Sequence, residues 1–352
     1  MFPGLGRRDD ARMSIDRQST APTLDEVAQA AGVSRSTASR AINGGDRVSP
    51  EAQAAVDAAV ARLGYTPNRA ARSLVTRRTG SVALVIPEPD GRVLADPFLA
   101  GTLRGVGHAL DATDLQLVLL IARPGEHAGR IARYLKGGHV DGAIIASHHQ
   151  GDELENAILA AHLPAVFIGR PAVEAESLVY VDVDNVAAAR RATQRLVDAG
   201  RTRIATIAGP LDMSVGHDRL EGWRAALVHA GLDVKASADG DFTLTGGAIA
   251  MQRLLDDHPD LDAVFAASDL MAQGALRVLQ SAGRTVPGDV SVIGFDDLGV
   301  AAATTPPLTT LRNPVEQMAR TATNVLLDEL EGRGRATRPI LYPAELVERA
   351  SV

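Results

Sequence analysis

The chain has 352 residues, 45% of them hydrophobic, no cysteine and a formal net charge of −7. That length suits two or three domains with sizeable cores, and the missing cysteine excludes disulfides and thiolate metal sites. No apolar run nears the roughly 20 residues of a membrane span, and residues 1–22 lack the apolar stretch of a signal peptide, so a cytoplasmic protein is expected.

Residues 1–20 read as a disordered extension in which Met13 is an alternative start; the intact mass of the native protein decides between the two. Over residues 20–79, eight arginines face five acids, so a basic head precedes an acidic body. Only Lys136 and Lys235 are lysines. Arginine therefore supplies nearly all positive charge, in the form suited to forked contacts with phosphate and guanine.

Thr23 and Glu26 have the spacing of a capping box, which starts a helix that Gly32 ends. Ser34 caps a second short helix, and the pair with its glycine turn reads as a helix-turn-helix. Ser49-Pro50 starts a third helix with Val56, Val60 and Leu63 on one face, ended by Gly64. Ala28, Ala31, Val33, Ala38, Ile42, Val56 and Val60 can close a minimal core. After Thr66-Pro67-Asn68, residues Arg69 to Thr76 allow about two helical turns, marginal in water alone. Ala70, Ala71 and Leu74 give that segment an apolar side, as expected of a helix that folds on binding.

From residue 81 short apolar runs alternate with amphipathic stretches. The runs are Val82–Ile86, Leu115–Ile121, Gly142–Ala146, Ala165–Ile168, Leu178–Val181, Ile204–Ala208, Ala263–Ala266 and Val290–Ile293. Helices are expected near 99–110, 127–137, 153–162, 185–199, 218–230, 246–257 and 270–282. This alternation predicts parallel sheets covered on both faces, and more than 250 residues of it predicts two lobes.

Thr23-Leu24, Val27-Ala28, Ala31-Gly32-Val33-Ser34, Thr37, Ser39-Arg40, Asn43, Val48-Ser49, Leu63-Gly64-Tyr65, Pro67-Asn68, Ala71 and Leu74 stand in fixed order. In this the chain resembles the LacI family of bacterial transcriptional regulators, and the likeness runs to the C-terminus. The resemblance implies a small all-α helix-turn-helix domain (21–67), a hinge helix and linker (68–79), and a two-lobed α/β domain (80–352). The last is of the periplasmic binding protein type I kind, with parallel sheets. The N-lobe is expected at about 80–184 and 313–340 and the C-lobe at about 185–312 and 341–352, with crossings near 184, 313 and 340.

By the same resemblance, Ser34, Arg35, Ser36, Thr37, Ser39 and Arg40 form the face of a recognition helix, whose N-terminal residues meet base edges in the major groove. Arg35 and Ser36 stand where the family varies its operator preference, and Arg35 can read guanine through its fork. Arg40 reads a base or holds phosphate. Thr23, Ser34 and Asn43 are assigned to phosphate, which positions without specifying. Asn68, Arg69, Ala71 and Leu74 belong to the hinge. Leu74 is the expected minor-groove wedge that kinks the operator, and small Ala71 lets two hinge helices approach across a dyad. The expected partners are a near-palindromic double-stranded operator and a second copy of the chain. No leucine heptad follows Arg349, so a dimer is expected rather than a lac-type tetramer.

In open α/β sheets ligands sit beyond the carboxyl ends of strands. Ser147 follows GAIIA, Arg170 follows AVFIG, Ser268 and Asp269 follow AVFAA, and Asp296 follows SVIGF. Arg219 precedes Gly222-Trp223 on a helix. Such Arg and Asp side chains can fork hydrogen bonds onto hydroxyls. Phe98 and Phe242 stand where similar proteins place ligand-stacking aromatics. These eight are the expected effector contacts, for a sugar or sugar derivative, with a nucleoside or purine as alternative. The resemblance also brings Gly169 into view, because many relatives carry Asp before Arg170, an argument against a pentose. His148-His149, with His139 nearby, lack a carboxylate at ligand spacing, so no metal is expected. Gly105-Val106-Gly107 lies within a helix and reads as no nucleotide loop. No cofactor is implied. A secreted sugar carrier conflicts with the 23–74 module. An enzyme using Asp296 and Asp297 conflicts with the opposite directions of adjacent side chains, and Asp297 is expected to cap the following turn. The expectation is a DNA-binding repressor controlled by a small molecule between two lobes.

Overall fold

The computed structural model describes residues 22–43, 48–66, 78–121, 128–151, 154–172 and 178–352. The expected N-terminal extension and the hinge residues Asn68, Arg69, Ala71 and Leu74 lie outside the described residues. The chain divides into two compact units, Met1–Arg77 and Arg78–Val352.

The first unit contains α1 (Leu24–Ala31), α2 (Arg35–Ile42) and α3 (Pro50–Leu63). The backbone N–H of Thr23 donates to Glu26 Oε2 at 2.7 Å, and that of Glu26 donates to Thr23 Oγ1 at 3.3 Å, closing the capping box. Ser34 Oγ accepts from the Thr37 N–H and Ser49 Oγ from the Ala52 N–H, each cap contributing about 1 kcal/mol. Gly32 and Gly64 end their helices at φ 64° and 63°, where a side chain would be strained. The core holds Val27, Ala28, Ala38, Ala41, Val56 and Ala59. Ala31, Val33, Ile42 and Val60, expected inside, are only partly buried around it. Val27, Ala41 and Ala59 take the interior instead, so the core is built largely of alanine and brings the helices close.

The second unit contains two six-stranded sheets. The first runs in the order β11-β5-β4-β3-β1-β2, with β1 Ser81–Ile86, β2 Gln116–Ile121, β3 Gly142–Ala146, β4 Ala165–Ile168, β5 Val179–Val183 and β11 Ile340–Tyr342. All its strand pairs are parallel. The second runs β12-β10-β9-β8-β6-β7, with β6 Ile204–Ala208, β7 Ser237–Asp239, β8 Ala263–Ala266, β9 Ser291–Asp296, β10 Thr309–Arg312 and β12 Glu345–Val347. Its pairs are parallel except β10 with β12. The central strands β3, β4, β6 and β8 are buried along their whole length, as helices on both faces of a parallel sheet require. The helix Val315–Leu330 packs against the first sheet and β12 against the second. The chain therefore passes between sheets after β5, after β10, and between Tyr342 and Glu345.

The sequence reading lacks the helix Val315–Leu330 and the strands β7, β10, β11 and β12. β10 reads TTLR, where polar-looking threonines are good strand formers. The other three are three-residue edge strands with no period to detect. No helix among the described residues is long and apolar enough to cross a membrane.

Candidate operator interface and effector cleft

In the head, Thr23, Ser34, Arg35, Ser36, Arg40 and Asn43 are exposed, whereas Thr37 and Ser39 are half-buried. Arg35 Nε lies 3.2 Å from Asp25 on α1. Both side chains are well exposed, so this pair is weak and yields readily to a stronger partner. Arg40 Nε donates to the Ser36 carbonyl at 3.2 Å, and Asn43 Nδ2 to the Ser39 carbonyl at 2.8 Å. These intrahelical bonds lay Arg40 and Asn43 back along α2 and leave Arg35 and Ser36 at its open N-terminal end. Ser34 Oγ also exchanges hydrogen bonds with Ser36 Oγ and Thr37 Oγ1, so its first duty is as a cap.

In the second unit a cleft of about 840 Å³, counting the part open to solvent, lies between the two sheets. Phe98, Ser147, Arg170, Arg219, Phe242, Ser268, Asp269 and Asp296 all line it. The register explains why. Ser147 stands at the carboxyl end of β3 in the first sheet, and Ser268 and Asp296 at the carboxyl ends of the neighbouring strands β8 and β9 in the second. Ser147, Phe242 and Asp296 have positive φ values of 57°, 60° and 122°. Backbone strain of this kind concentrates at functional sites.

Arg219 is at the centre. It is buried, donating from Nε to Asn185 Oδ1 at 3.0 Å and from Nη1 to the Ala267 carbonyl at 2.6 Å. Its guanidinium lies 3.6 Å from the Phe295 ring centroid and 3.7 Å from Asp296 Oδ1. Burial weakens its hold on its proton, and the charges of Asp296, Asp182 and Asp269 oppose that loss. Burial drives the carboxyl of Asp296 up to about 7, with Arg219 pulling down and Asp96 pushing further up. Burial likewise raises Asp182 to about 6 against the Val183 N–H and Arg219. Asp269 is raised well above the usual carboxylate range by burial and by Asp296, although Thr310 Oγ1 donates to it at 2.7 Å. The cleft thus holds an arginine among acids that burial makes hold their protons more tightly than usual. Its wall also carries Ile168, Met213, Leu298 and Met318. Apolar lining with a few convergent polar groups is the common form of a small-molecule site.

Two expected contacts, Arg170 and Phe242, have prior partners. Arg170 forks onto Asp218 of the helix Ser214–Ala230, with Nη2 at 2.6 Å, and so bridges the lobes. Gly169 before it has φ 99°, a conformation that residues with a side chain rarely adopt. Phe242 belongs to a core cluster, and the Arg92 and Arg219 guanidinium carbons lie 5.5 and 5.9 Å from its ring centroid. Phe98 is the more open of the two aromatics. Asp297 does not cap the following turn. Its carboxylate takes Arg349 Nη2 at 2.5 Å and Arg312 Nη2 at 2.9 Å, and it is not among the residues that line the cleft.

Arg92, Asp96, Asp182 and Asn313 also line the cleft and were absent from the sequence reading. Asp182 and Asn313 lie at or just beyond the carboxyl ends of β5 and β10, so the rule that found Ser147 applies to them equally. Arg92 lies within, and Asp96 directly after, a short helix, Asp90–Ala95, for which the sequence carries no periodic signal.

Residues 23–68 match the sequence profile of bacterial regulatory proteins of the lacI family, and residues 193–352 that of a periplasmic binding protein-like domain. The HTH-type transcriptional regulator CelR of Thermobifida fusca is 49% identical over 333 residues, 94% of this chain and 98% of the relative. A solved complex of CelR with cellobiose has 46% identity and a TM-score of 0.76 over 94% of this chain and all of that one. A lac repressor dimer bound to operator and the anti-inducer ONPF has 26% identity and a TM-score of 0.82, over 94% of this chain and 98% of that one. With a regulator 49% identical over 94% of its length and a head that matches the lacI profile, the chain belongs to the LacI family of bacterial transcriptional regulators.

Proposed function

We propose that the protein is a homodimeric repressor whose operator affinity is set by a neutral disaccharide of the cellobiose type held between the lobes. The observation that carries this reading is the cleft itself: Asp182, Asp269 and Asp296 around one buried arginine, beside Phe98 and an apolar wall. Carboxylates accept from sugar hydroxyls, arginine donates to them, and an apolar wall suits the C–H face of a pyranose. The surplus of acids disfavours a phosphorylated sugar. The likeness to a regulator solved with cellobiose supports the same ligand class.

Arg35 and Ser36 are assigned to base edges, Thr23, Ser34 and Asn43 to phosphate, and Leu74 to the minor groove at the dyad. Support for the dimer comes from β2, an edge strand with partly exposed Leu117, Val118 and Leu120 and an exposed Leu119. A regulator of this kind works beside the chromosome and needs no covalent chemistry in its cleft.

Two results test the reading. Cellobiose at about 100 times its dissociation constant stabilises the second unit by about 2.7 kcal/mol, which a thermal shift detects; glucose and cellobiose phosphate give less. No shift with any disaccharide contradicts the assignment. In operator selection, Arg35→Ala costs about 1–3 kcal/mol at its base pair and relaxes preference there. An unchanged base preference removes Arg35 from the reading helix.

A further inference from the structure

The rim of the cleft carries contacts between the lobes that ligand binding does not require. The loop after β3 supplies His149 and Gln150, and the loop after β6 supplies Asp212. His149 Nδ1 lies 2.8 Å from Asp212 Oδ2, and its Nε2 lies 3.1 Å from Glu88 Oε1. The Gln150 N–H donates to the Asp212 carbonyl at 2.6 Å. Glu88 and His149 belong to the first lobe, Asp212 to the second.

The two ends of this bridge differ. The Glu88 side chain is 2% exposed, and its Oε1 also accepts from Ser147 Oγ at 2.5 Å and from Arg92 Nη1 at 2.6 Å. It is an anchor fixed within its own lobe. The Asp212 side chain is 57% exposed, so it can leave at little desolvation cost. Ligand-lining residues adjoin both ends: Ser147 and His148 on one side, Met213 and Ser214 on the other.

We propose that His149 is a positioning residue, an imidazolium clasp that joins Glu88 to Asp212 across the cleft and sets the fraction of molecules with their lobes closed. This rests on reading the cleft as a ligand site that opens and closes.

The chemistry follows from the donor count. A neutral imidazole has one N–H and one lone pair. Facing a carboxylate at each nitrogen, it would set that lone pair against an anion. Only the cation donates to both. Among the described residues, His149 faces Glu88, Asp212 and, through Glu88, Arg92. Its neighbour His148 is turned elsewhere, with Nε2 3.0 Å from the Arg170 carbonyl and 3.8 Å from Glu155. Burial disfavours the cation, but Glu88 and Asp212 together outweigh it, and His149 holds its proton above the usual histidine range. Opening removes Asp212 and part of that support. Closure therefore takes up a proton: the clasp is fully made below the open-state pKa and is lost as pH rises through the closed-state value. The Arg170–Asp218 pair is a second link between the lobes, so rising pH shifts the balance rather than parting the lobes completely.

The chain has no cysteine, and its two lysines, Lys136 and Lys235, lie exposed on different lobes. Spin labels at Lys136→Cys and Lys235→Cys in the full-length protein, diluted with unlabelled chains, report the distance between lobes without ligand. The short-distance population is expected to fall at least about threefold between about pH 5.5 and 8.5. Asp212→Asn and His149→Gln, each added to that background, are expected to flatten the response. A pH-independent distance in the labelled protein, or a pH response in both variants as large as that of the labelled parent, overturns the clasp. Titration of the labelled protein with cellobiose separates the two claims. Binding with a pH-independent distance overturns the clasp alone, whereas a working clasp without disaccharide binding overturns the ligand assignment alone.

Discussion

Arg219→Met is expected to abolish the response to effector and to lower the melting temperature of the second unit by on the order of 10 °C. The reason is burial. Arg219 satisfies Asn185 and the Ala267 carbonyl and is the counter-charge nearest Asp296. Removing it leaves acids facing a cleft without their cation, a loss of about 3–5 kcal/mol. Methionine keeps much of the volume, so the effect reports charge more than cavity. Calorimetric unfolding checks the stability term and disaccharide titration the binding term. A variant that melts like the parent and still binds sugar would show that Asp182, Asp269 and Asp296 do not depend on Arg219.

The second large effect concerns pH. Asp296 titrates in the native protein at about 7 and Asp182 at about 6, against 3.8 for an unperturbed carboxyl. Between roughly pH 4 and 7 the folded state therefore holds more protons than the unfolded one, and stability falls as pH rises through that window. The stabilisation is complete below the unfolded value and is lost as each carboxyl ionises in place. Its size is of order a few kcal/mol. Asp296→Asn removes one of these titrations. The variant is expected to match the parent near pH 5, where Asp296 is protonated, and to exceed its stability near pH 8, while binding disaccharide at least about tenfold more weakly. Denaturant unfolding at both pH values checks the first part. Equal pH dependence in parent and variant would contradict the environment described for Asp296. Greater stability with weaker binding would mark Asp296 as kept for the ligand at a cost to the fold, the usual direction of such trade-offs.

How much of this the sequence carried depends on whether the feature is local. The capping box at Thr23 and Glu26 and the proline start at Ser49-Pro50 are fixed by neighbours in the chain, and they are legible. The runs Gly142–Ala146, Ala165–Ile168, Ile204–Ala208 and Ala263–Ala266 coincide with strands because their full burial demands unbroken apolar stretches. The helix Val315–Leu330 is not legible although it has an amphipathic face, because its threonines and small residues dilute the pattern. Five of the eight cleft candidates, Ser147, Arg170, Ser268, Asp269 and Asp296, meet in one cavity because the ends of parallel strands point one way, and helices and a loop bring Phe98, Arg219 and Phe242 to it. What those side chains do once there is less legible. That Arg170 is held by Asp218, that Phe242 is flanked by two arginines, and that Asp297 turns to Arg349 are consequences of tertiary packing. So is the bridge through His149, which as one of two adjacent histidines carried no signal beyond a metal site to reject.

The central claim is that ligand in the cleft and operator at the head share one free energy. The direct measurement is operator affinity by fluorescence anisotropy, on a site obtained by selection, with and without saturating cellobiose. The two sites are expected to differ by a coupling of about 1–3 kcal/mol, a change of roughly 5–150-fold in operator affinity, with the same factor appearing when cellobiose affinity is measured with and without DNA. Bound cellobiose that leaves operator affinity unchanged would contradict the account.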